Sequence, residues 1–470
     1  MRSDRKKPPP FRVGEIVSAQ VETLPLGPDS IAHVRGYVLF VPGGIPGETV
    51  RLRVTEAGRR FGRAEIVDVL ERSPERVEPF CPLYLACGGC HLQHLSDVAR
   101  RRTKARLLAK ALEHALDREV PVSAIGGAPE PRAYRDKVTF TLAPGTLAPG
   151  TLAPGAKRIR AGFYRAHTHD LIEIPACPVQ DETATGAALA LVRALEESGA
   201  PAWDEDRGTG DVRHVLVRAG ARTGDLYGVV VARRPELPWL ERFTEKARHL
   251  GLLGLALNVS PVRERDLVLG QETRVLFGPE RYRTEIAGIT YHVSPTSFFQ
   301  TNAEAAEEIV ATVLRSLGDV AGKRVLDVYG GVGLLALQVA RKGGRALVVD
   351  GNPTSIADGR ASAAAAGLDV SFRRGRAEDV VPRLAREGSR FDAVILDPPR
   401  EGCHPRVIDT VRRILAPRKI LYVSCDAESL ARDLMVIEGY DVEDVVPIDM
   451  FPHAYPIEAV ANLTRRVTAN

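Results

Sequence analysis

Residues 325–337 read VLDVYGGVGLLAL, an apolar run followed by a glycine cluster and then by a second apolar run. This order predicts a buried parallel strand, a tight turn and a helix. Gly330, Gly331 and Gly333 stand in the turn, where the missing side chains let the backbone approach a ligand closely. The signal is weak alone, because many nucleotide-binding proteins have such a turn. Its spacing also differs from the G-x-G-x-x-G of dinucleotide binding.

Strand-like and helix-like runs alternate from about residue 285 onward. The strand-like runs after the glycine turn are ALVVD, VSFRR, FDAVILD and KILYVSC. The alternation predicts a doubly wound parallel α/β sheet, which binds ligands beyond the carboxyl ends of its strands. Asp350, Asp397 and Cys425 stand at such ends, so the sequence places them on one rim. An aspartate at position 350 can accept hydrogen bonds from ribose hydroxyls, with helix capping as the alternative.

The remaining chain divides into further regions. Residues 11–70 contain five short runs of alternating polarity, which predict an OB-like β-barrel, a common nucleic-acid platform. Residues 71–284 predict a central α+β domain, and residues 285–470 form the α/β domain. Residues 1–10, basic and then proline-rich, are expected to be a disordered tail. Three tandem TLAPG copies at 141–155 carry Pro-Gly turn signals and predict an expanded hairpin loop.

An amphipathic helix is predicted within the central domain, over DVARRRTKARLLAKALEHAL. The apolar residues expected near one face of this helix are Val98, Ala105, Leu108, Leu112 and Leu116. That face is therefore expected to meet a core.

Composition restricts the classes of function. The chain has 470 residues, 44% of them hydrophobic and 26% charged, and a net charge of +4. No apolar run reaches the roughly 18–20 residues of a membrane span, and the start lacks the apolar core of a signal peptide. We therefore expect a cytoplasmic protein. Arginine is dense at 58–63, 99–106 and 372–376, which fits either phosphate contacts or solvated surface.

Cysteine is sparse. The six cysteines are Cys81, Cys87, Cys90, Cys177, Cys403 and Cys425. Six are too few for a disulfide scaffold of this length, and three within ten residues suggest a metal site in a reducing compartment. Cys425 stands between a strand and a helix, where helix N–H groups favour the thiolate, although a packed core thiol is the alternative.

Several motifs in a fixed order resemble those of the RNA uracil-C5 methyltransferases, which make 5-methyluridine. They are SFFQTN at 297–302, VLDVYGGVG, LDPPREG, YVSCDAESLARDL and DMFPHAYPIEAV. The N-terminal module resembles the TRAM domain of many members. The resemblance implies a Rossmann-like class I methyltransferase domain, S-adenosylmethionine as methyl donor and an RNA substrate. It favours 23S ribosomal RNA over transfer RNA, and we expect a monomer.

The resemblance also implies residue roles. Cys425 matches the nucleophile that adds to uracil C6, and Glu458 matches the base that removes the C5 proton. Phe298 matches a residue beside the flipped uracil, with core packing as the alternative. The positions matching residues near the cofactor are Gln300, Tyr329, Asp350 and Asp397.

Some positions depart from the family pattern. Leu334 stands where asparagine is frequent, Arg376 where an uncharged polar residue is frequent, and Asp350 where glutamate is common. Asp426-Ala427 replaces a frequent asparagine–proline after the nucleophile. These departures bear on cofactor contacts and leave the nucleophile, the base and the glycine turn intact.

The spacing Cys81-x5-Cys87-x2-Cys90, with a distant Cys177, can serve zinc or an iron–sulfur cluster. The cluster-bearing branch of the family has this arrangement, so the resemblance implies a 4Fe–4S cluster with a structural role. Zinc, free thiols and a redox role are the alternatives. Cys403 has no partner in this scheme.

Two other functions compete with uracil methylation. A cytosine-C5 enzyme also uses cysteine attack at C6, but it would not need the Glu458 motif. A non-catalytic RNA-binding protein would need neither Cys425 nor Glu458.

Overall fold

The computed structural model describes residues 9–125, 131–145, 158–261 and 268–466. Most of the expected disordered tail, residues 1–8, and the second and third TLAPG copies lie outside these residues. No helix within the described ranges is long and apolar enough to cross a membrane.

The first region is a closed five-stranded barrel, as predicted. Its strands are β1 (Ile16–Thr23), β2 (Asp29–Val34), β3 (Tyr37–Pro42), β4 (Thr49–Ala57) and β5 (Phe61–Glu71). The spatial order is β1-β2-β3-β5-β4. Alternate side chains point inward, so Leu39, Val41, Val50 and Leu52 are fully buried.

The central region begins with a long helix and continues into a seven-stranded sheet of order β12-β11-β10-β9-β6-β7-β8. Its elements are α1 (Asp97–Leu116), β6 (Lys137–Pro144), β7 (Ile159–Tyr164), β8 (Leu171–Glu173), α2 (Glu182–Glu197), β9 (Val212–Ala219), β10 (Leu226–Ala232), α3 (Leu240–Ala247), β11 (Gly254–Val259) and β12 (Glu272–Phe277). Buried residues of α2 and α3 pack with this sheet in one core.

Two expectations for this region are wrong. The first TLAPG copy is not a loop, because Thr141 and Leu142 pair with β7 and the Leu142 side chain is buried in the core. On α1, Val98 is exposed, whereas Leu108, Leu112, Arg100 and Lys104 are buried. The buried face of α1 thus carries two cations, which an apolar periodicity does not reveal.

The third region opens with a hairpin and continues as the predicted α/β sheet. Its elements are β13 (Tyr282–Ile286), β14 (Ile289–Val293), α4 (Ala303–Leu317), β15 (Arg324–Val328), α5 (Leu334–Arg341), β16 (Arg345–Asp350), α6 (Pro353–Ala365), β17 (Val370–Arg374), α7 (Ala377–Arg386), β18 (Ala393–Leu396), α8 (Pro405–Thr410), a π-helical turn (Val411–Leu415), β19 (Lys419–Ser424), α9 (Ala427–Val436), β20 (Tyr440–Ile448) and β21 (Glu458–Arg465). The sheet has the strand order β17-β16-β15-β18-β19-β21-β20. The first five strands are parallel, β21 is antiparallel to β19, and β20 is antiparallel to β21.

Helices cover both faces of this sheet, so a ligand is expected at the carboxyl ends of its strands, here called the rim. The core on one face contains residues of α4, α5 and α6, and the core on the other contains residues of α7, α8 and α9. Leu108 and Leu112 of α1 belong to the second core. The central region is therefore packed directly against the methyltransferase-like sheet.

Candidate active site at the carboxyl rim of the sheet

The glycine turn follows β15 in an open, left-handed conformation. Tyr329, Gly331 and Gly333 have φ angles of 63°, 55° and 79°. A Cβ at Gly330 would lie 2.6 Å from the carboxyl carbon of Asp327, so only glycine fits there. The N–H of Gly331 donates to Asp350 Oδ2 over 3.0 Å. The turn therefore presents backbone at the rim and is tied to the end of the next strand.

Carboxyl groups gather at this rim. Burial, together with the charges of Asp397 and Asp350, raises the pKa of Asp327 to about 8. Burial and Asp350 likewise raise the pKa of Asp397 to about 7. Asp327 Oδ1 is buried without a hydrogen-bond partner. Because carboxylates are stabilised by a nearby positive charge, this rim fits a cationic ligand.

Cys425 and Glu458, 33 positions apart in the chain, are brought together by strand pairing. Cys425 directly follows β19, and Glu458 is the first residue of β21. The two strands are antiparallel, with Ser424 opposite Ala459, so the next positions face each other. Glu458 is only 5% exposed, whereas Cys425 is half-buried.

The surroundings of Cys425 favour the neutral thiol over the thiolate in the RNA-free protein. The pKa of Cys425 is raised to about 11. Burial is the main cause, the charges of Glu458, Asp397 and Asp426 act in the same direction, and Arg400 lowers the pKa. Asp426 caps α9 by accepting the Ser429 N–H, so a carboxylate stands between the thiol and the helix. This negative charge offsets the positive end of the helix.

Glu458 shares the environment of the thiol. The pKa of Glu458 is raised to about 8. Burial is the main cause, the Asp397 carboxylate acts in the same direction, and Arg400 lowers the pKa. Sequence reasoning did not single out Arg400, whose charge acts on both Cys425 and Glu458. Its position in LDPPREG, four residues after the end of β18, was the available signal.

Phe298 and Phe299 are adjacent but differ in burial. Phe298 is 75% exposed and Phe299 is 4% exposed. Phe299 packs in the core beside Tyr291, with ring centroids 5.4 Å apart. Core packing is therefore excluded for Phe298, which leaves its ring free for a ligand. Gln300 follows, half-buried.

Tyr329 and the positions that depart from the family pattern differ in burial and in their contacts. The Tyr329 hydroxyl accepts the His404 N–H over 3.2 Å, and burial raises the pKa of Tyr329. Leu334 packs partly buried against the core. The Arg376 side chain is exposed and pairs with Glu378 at 2.5 Å.

The two phenylalanines provide a matched test. We expect Phe298→Ala to leave the free energy of unfolding nearly unchanged, because its ring is exposed, and to weaken RNA binding, because the family resemblance implies a place for this ring beside the flipped base. Phe299→Ala should lower the free energy of unfolding by about 3–5 kcal/mol, because it creates a cavity. Denaturant unfolding and RNA titration check both. A Phe298→Ala variant with normal RNA affinity and normal KM would contradict a role for Phe298 in RNA binding.

The four cysteines of the predicted metal site line one cavity of about 690 Å³. They are Cys81, Cys87, Cys90 and Cys177, all free and half-buried. Burial raises the pKa of Cys90 to about 12 and also raises those of Cys87 and Cys177. Among the described residues, no group of three or more His, Cys, Asp or Glu side chains is placed to hold a metal ion. The predicted metal site is therefore not shown.

Comparison with known proteins gives consistent results along the chain. The family model of tRNA (uracil-5-)-methyltransferase matches residues 279–466, and the TRAM domain model matches residues 10–67. An uncharacterized RNA methyltransferase of Halalkalibacterium halodurans is 33% identical and covers 97% of this chain and 99% of its own. An uncharacterized RNA methyltransferase of Bacillus cereus is 32% identical, and the match covers 98% of this chain and 99% of the relative.

One solved structure is similar over nearly the whole chain. It is the Pyrococcus abyssi tRNA (uracil-54, C5)-methyltransferase in complex with S-adenosyl-L-homocysteine. The TM-score is 0.73 at 26% identity, and the alignment covers 95% of this chain and 99% of that one.

Proposed function

Because this chain belongs to the S-adenosylmethionine-dependent RNA uracil-5 methyltransferase family, we propose that it methylates C5 of one specific uridine through Cys425 and Glu458. The observation that carries this mechanism is the pairing of β19 with β21, which places a thiol opposite a buried carboxyl group. A cytosine-C5 enzyme must also lose its C5 proton, so the substrate assignment rests on the family match, and the tritium experiment below distinguishes the two bases.

Cys425 supplies the nucleophile. The half-buried Cys425 thiol gives its proton to solvent, the sulfur lone pair adds to C6 of uracil, and the electrons of the C5–C6 double bond move onto the O4 oxygen as an enolate. C5 becomes nucleophilic by this step. When bound, S-adenosylmethionine supplies an electrophilic methyl group on a positively charged sulfur.

Glu458 completes the reaction as general base. Its carboxylate takes the C5 proton, the electrons of that C–H bond restore the double bond, and the sulfur leaves C6 as a thiolate. The target base must first leave its stack, and we assign the contact with it to Phe298, whose exposed ring is available for stacking.

The rim residues are proposed to hold the cofactor. The open glycine turn allows close approach, and Asp350 is the acceptor for ribose hydroxyls. Asp397, Gln300 and Tyr329 complete the proposed site. The crowded carboxyl groups suit a sulfonium cation, and its binding should lower the raised pKa of Asp397.

We propose 23S ribosomal RNA as the substrate, because the barrel and the cysteine-rich region together favour it. Transfer RNA is the second candidate, since the similar Pyrococcus abyssi enzyme acts on transfer RNA. Nucleoside mapping of both RNAs from a deletion strain distinguishes them. Loss of one 5-methyluridine from transfer RNA alone would overturn the ribosomal assignment. A monomer acting in the cytoplasm stays a prediction.

Tritium release tests the reaction itself. RNA carrying 5-tritiated uridine should release one tritium for each methyl group transferred, because the C5 hydrogen leaves as a proton. RNA carrying 5-tritiated cytidine is the control and should release none. Methyl transfer to RNA without tritium release from uridine would overturn the proposed function.

The cysteine cavity is proposed to hold a 4Fe–4S cluster with a structural role. Four free thiols line one cavity, and the resemblance to the cluster-bearing branch of the family supports the proposal. A bound cluster supplies positive charge that stabilises the thiolates, and it ties Cys177 to the loop that contains the other three cysteines.

Anaerobic purification tests the cluster. We expect a brown protein with about four iron and four sulfide per chain. Cys177→Ala should be colourless, whereas Cys403→Ala should stay brown because Cys403 lies elsewhere, in the core beside α8. Colourless wild-type protein with stoichiometric zinc would contradict the cluster.

A further inference from the structure

Residues 449–457, here called the base loop, connect β20 to Glu458. We propose that Lys104 is a positioning residue that fixes this loop and thereby holds Glu458 against the covalent RNA intermediate. This inference rests on the proposed function, because it assigns Lys104 a role in the elimination step.

Lys104 reaches both ends of the base loop. Its Nζ donates to Asp449 Oδ1 over 2.7 Å, to the Phe451 carbonyl over 2.8 Å and to the Pro456 carbonyl over 3.3 Å. The ammonium group has three donors, so all are in use. The side chain is 1% exposed and lies on α1, outside the sheet that carries Glu458. A single cation thus joins the start of the loop to a point two residues before the base.

A second cation completes the anchor. Arg100, one turn earlier on α1, donates to Asp449 Oδ2 over 3.3 and 3.4 Å. Burial alone would raise the pKa of Asp449, but Lys104 and Arg100 hold it below its usual value. Asp449 is therefore a buried carboxylate that depends on both cations, and removing one leaves an uncompensated charge.

The rest of the base loop is also held by residues outside the sheet. The N–H groups of His91 and Leu92 both donate to the His453 carbonyl, over 2.7 and 3.0 Å. Asn302 Nδ2 donates to the Met450 carbonyl over 3.1 Å. Lys104 contacts the part of the loop next to Glu458 through a charged side chain, at the Pro456 carbonyl. Its loss should therefore displace the base more than it displaces the nucleophile.

The experiment uses the full-length Lys104→Met protein, with Lys110→Met as the matched control on the exposed face of α1. Single-turnover reactions with labelled RNA measure product and covalent protein–RNA adduct separately. We expect Lys104→Met to form adduct at a near-parental rate and to release product about 10- to 100-fold more slowly, because small misplacement of a catalytic group has effects of this size. Lys110→Met should release product normally.

A purely structural role would lower adduct and product together, with no selective slowing of product release. That result, in protein with a folded circular dichroism spectrum, overturns the inference, as does unchanged product release. If Lys104→Met does not fold, Lys104→Arg keeps a cation for Asp449 while its planar group cannot match all three acceptors. Adduct accumulation in Lys104→Arg supports the inference, and its absence overturns it. Tritium release by the wild type separates this outcome from failure of the proposed function.

Discussion

Replacing Cys425 by alanine is expected to reduce methyl transfer by at least about 10⁴-fold, because loss of a covalent nucleophile removes the reaction path itself. Uracil C5 cannot attack a methyl sulfonium at a useful rate until a nucleophile has added to C6. The measurement is single-turnover incorporation of labelled methyl groups into RNA. The half-buried thiol lies in a turn, so alanine should be tolerated structurally.

Cys403→Ala is the matched control for this prediction. The Cys403 side chain is buried in the core, and burial raises the pKa of its thiol strongly. Its removal should lower the free energy of unfolding by about 1 kcal/mol and leave the rate within about threefold. Serine at position 425 is a more conservative variant. If Cys425→Ser turned over at the parental rate, covalent catalysis would be excluded.

The sequence predicted the rim because strand ends in a parallel sheet are local features. Asp350, Asp397 and Cys425 each stand at such an end, and the observed strands place them there. Sequence reasoning could not predict the protonation state of Cys425, since its pKa depends first on burial and then on Glu458 and Arg400, all of which are set by the fold.

The buried cations of α1 show the same limit. Lys104 and Arg100 look like exposed residues in an arginine-rich helix, and Val98 looks like a core residue. Their environments are reversed because Asp449, 345 residues after Lys104, supplies a buried carboxylate. Such a pairing has no local signal, so hydrophobic periodicity found the buried Leu108 and Leu112 but missed the two buried cations.

Replacing Glu458 by glutamine is expected to trap the reaction after methyl transfer. Glutamine keeps the shape of the side chain but cannot accept the C5 proton, so β-elimination stops while the Cys425–C6 bond remains. Product release should fall by about 10²–10⁴-fold, the usual contribution of a general base. A denaturing gel with labelled RNA should show a methylated protein–RNA adduct. Cys425→Ala/Glu458→Gln is the control and should show none.

The pH dependence of adduct decay tests the same role in the wild type. The raised pKa of Glu458, about 8 in the RNA-free protein, means that most of this group is protonated at pH 7. Only the carboxylate can act as base, so the decay rate should rise about tenfold per pH unit up to about pH 8 and then level off. The residual adduct decay in Glu458→Gln should lack this rise with pH.

An Asp397→Asn variant extends the test. Because burial next to Asp397 raises the pKa of Glu458, this variant should move the rise in decay rate to lower pH. If Glu458→Gln formed no adduct, or if its decay kept the same rise with pH, another group would have to be the base.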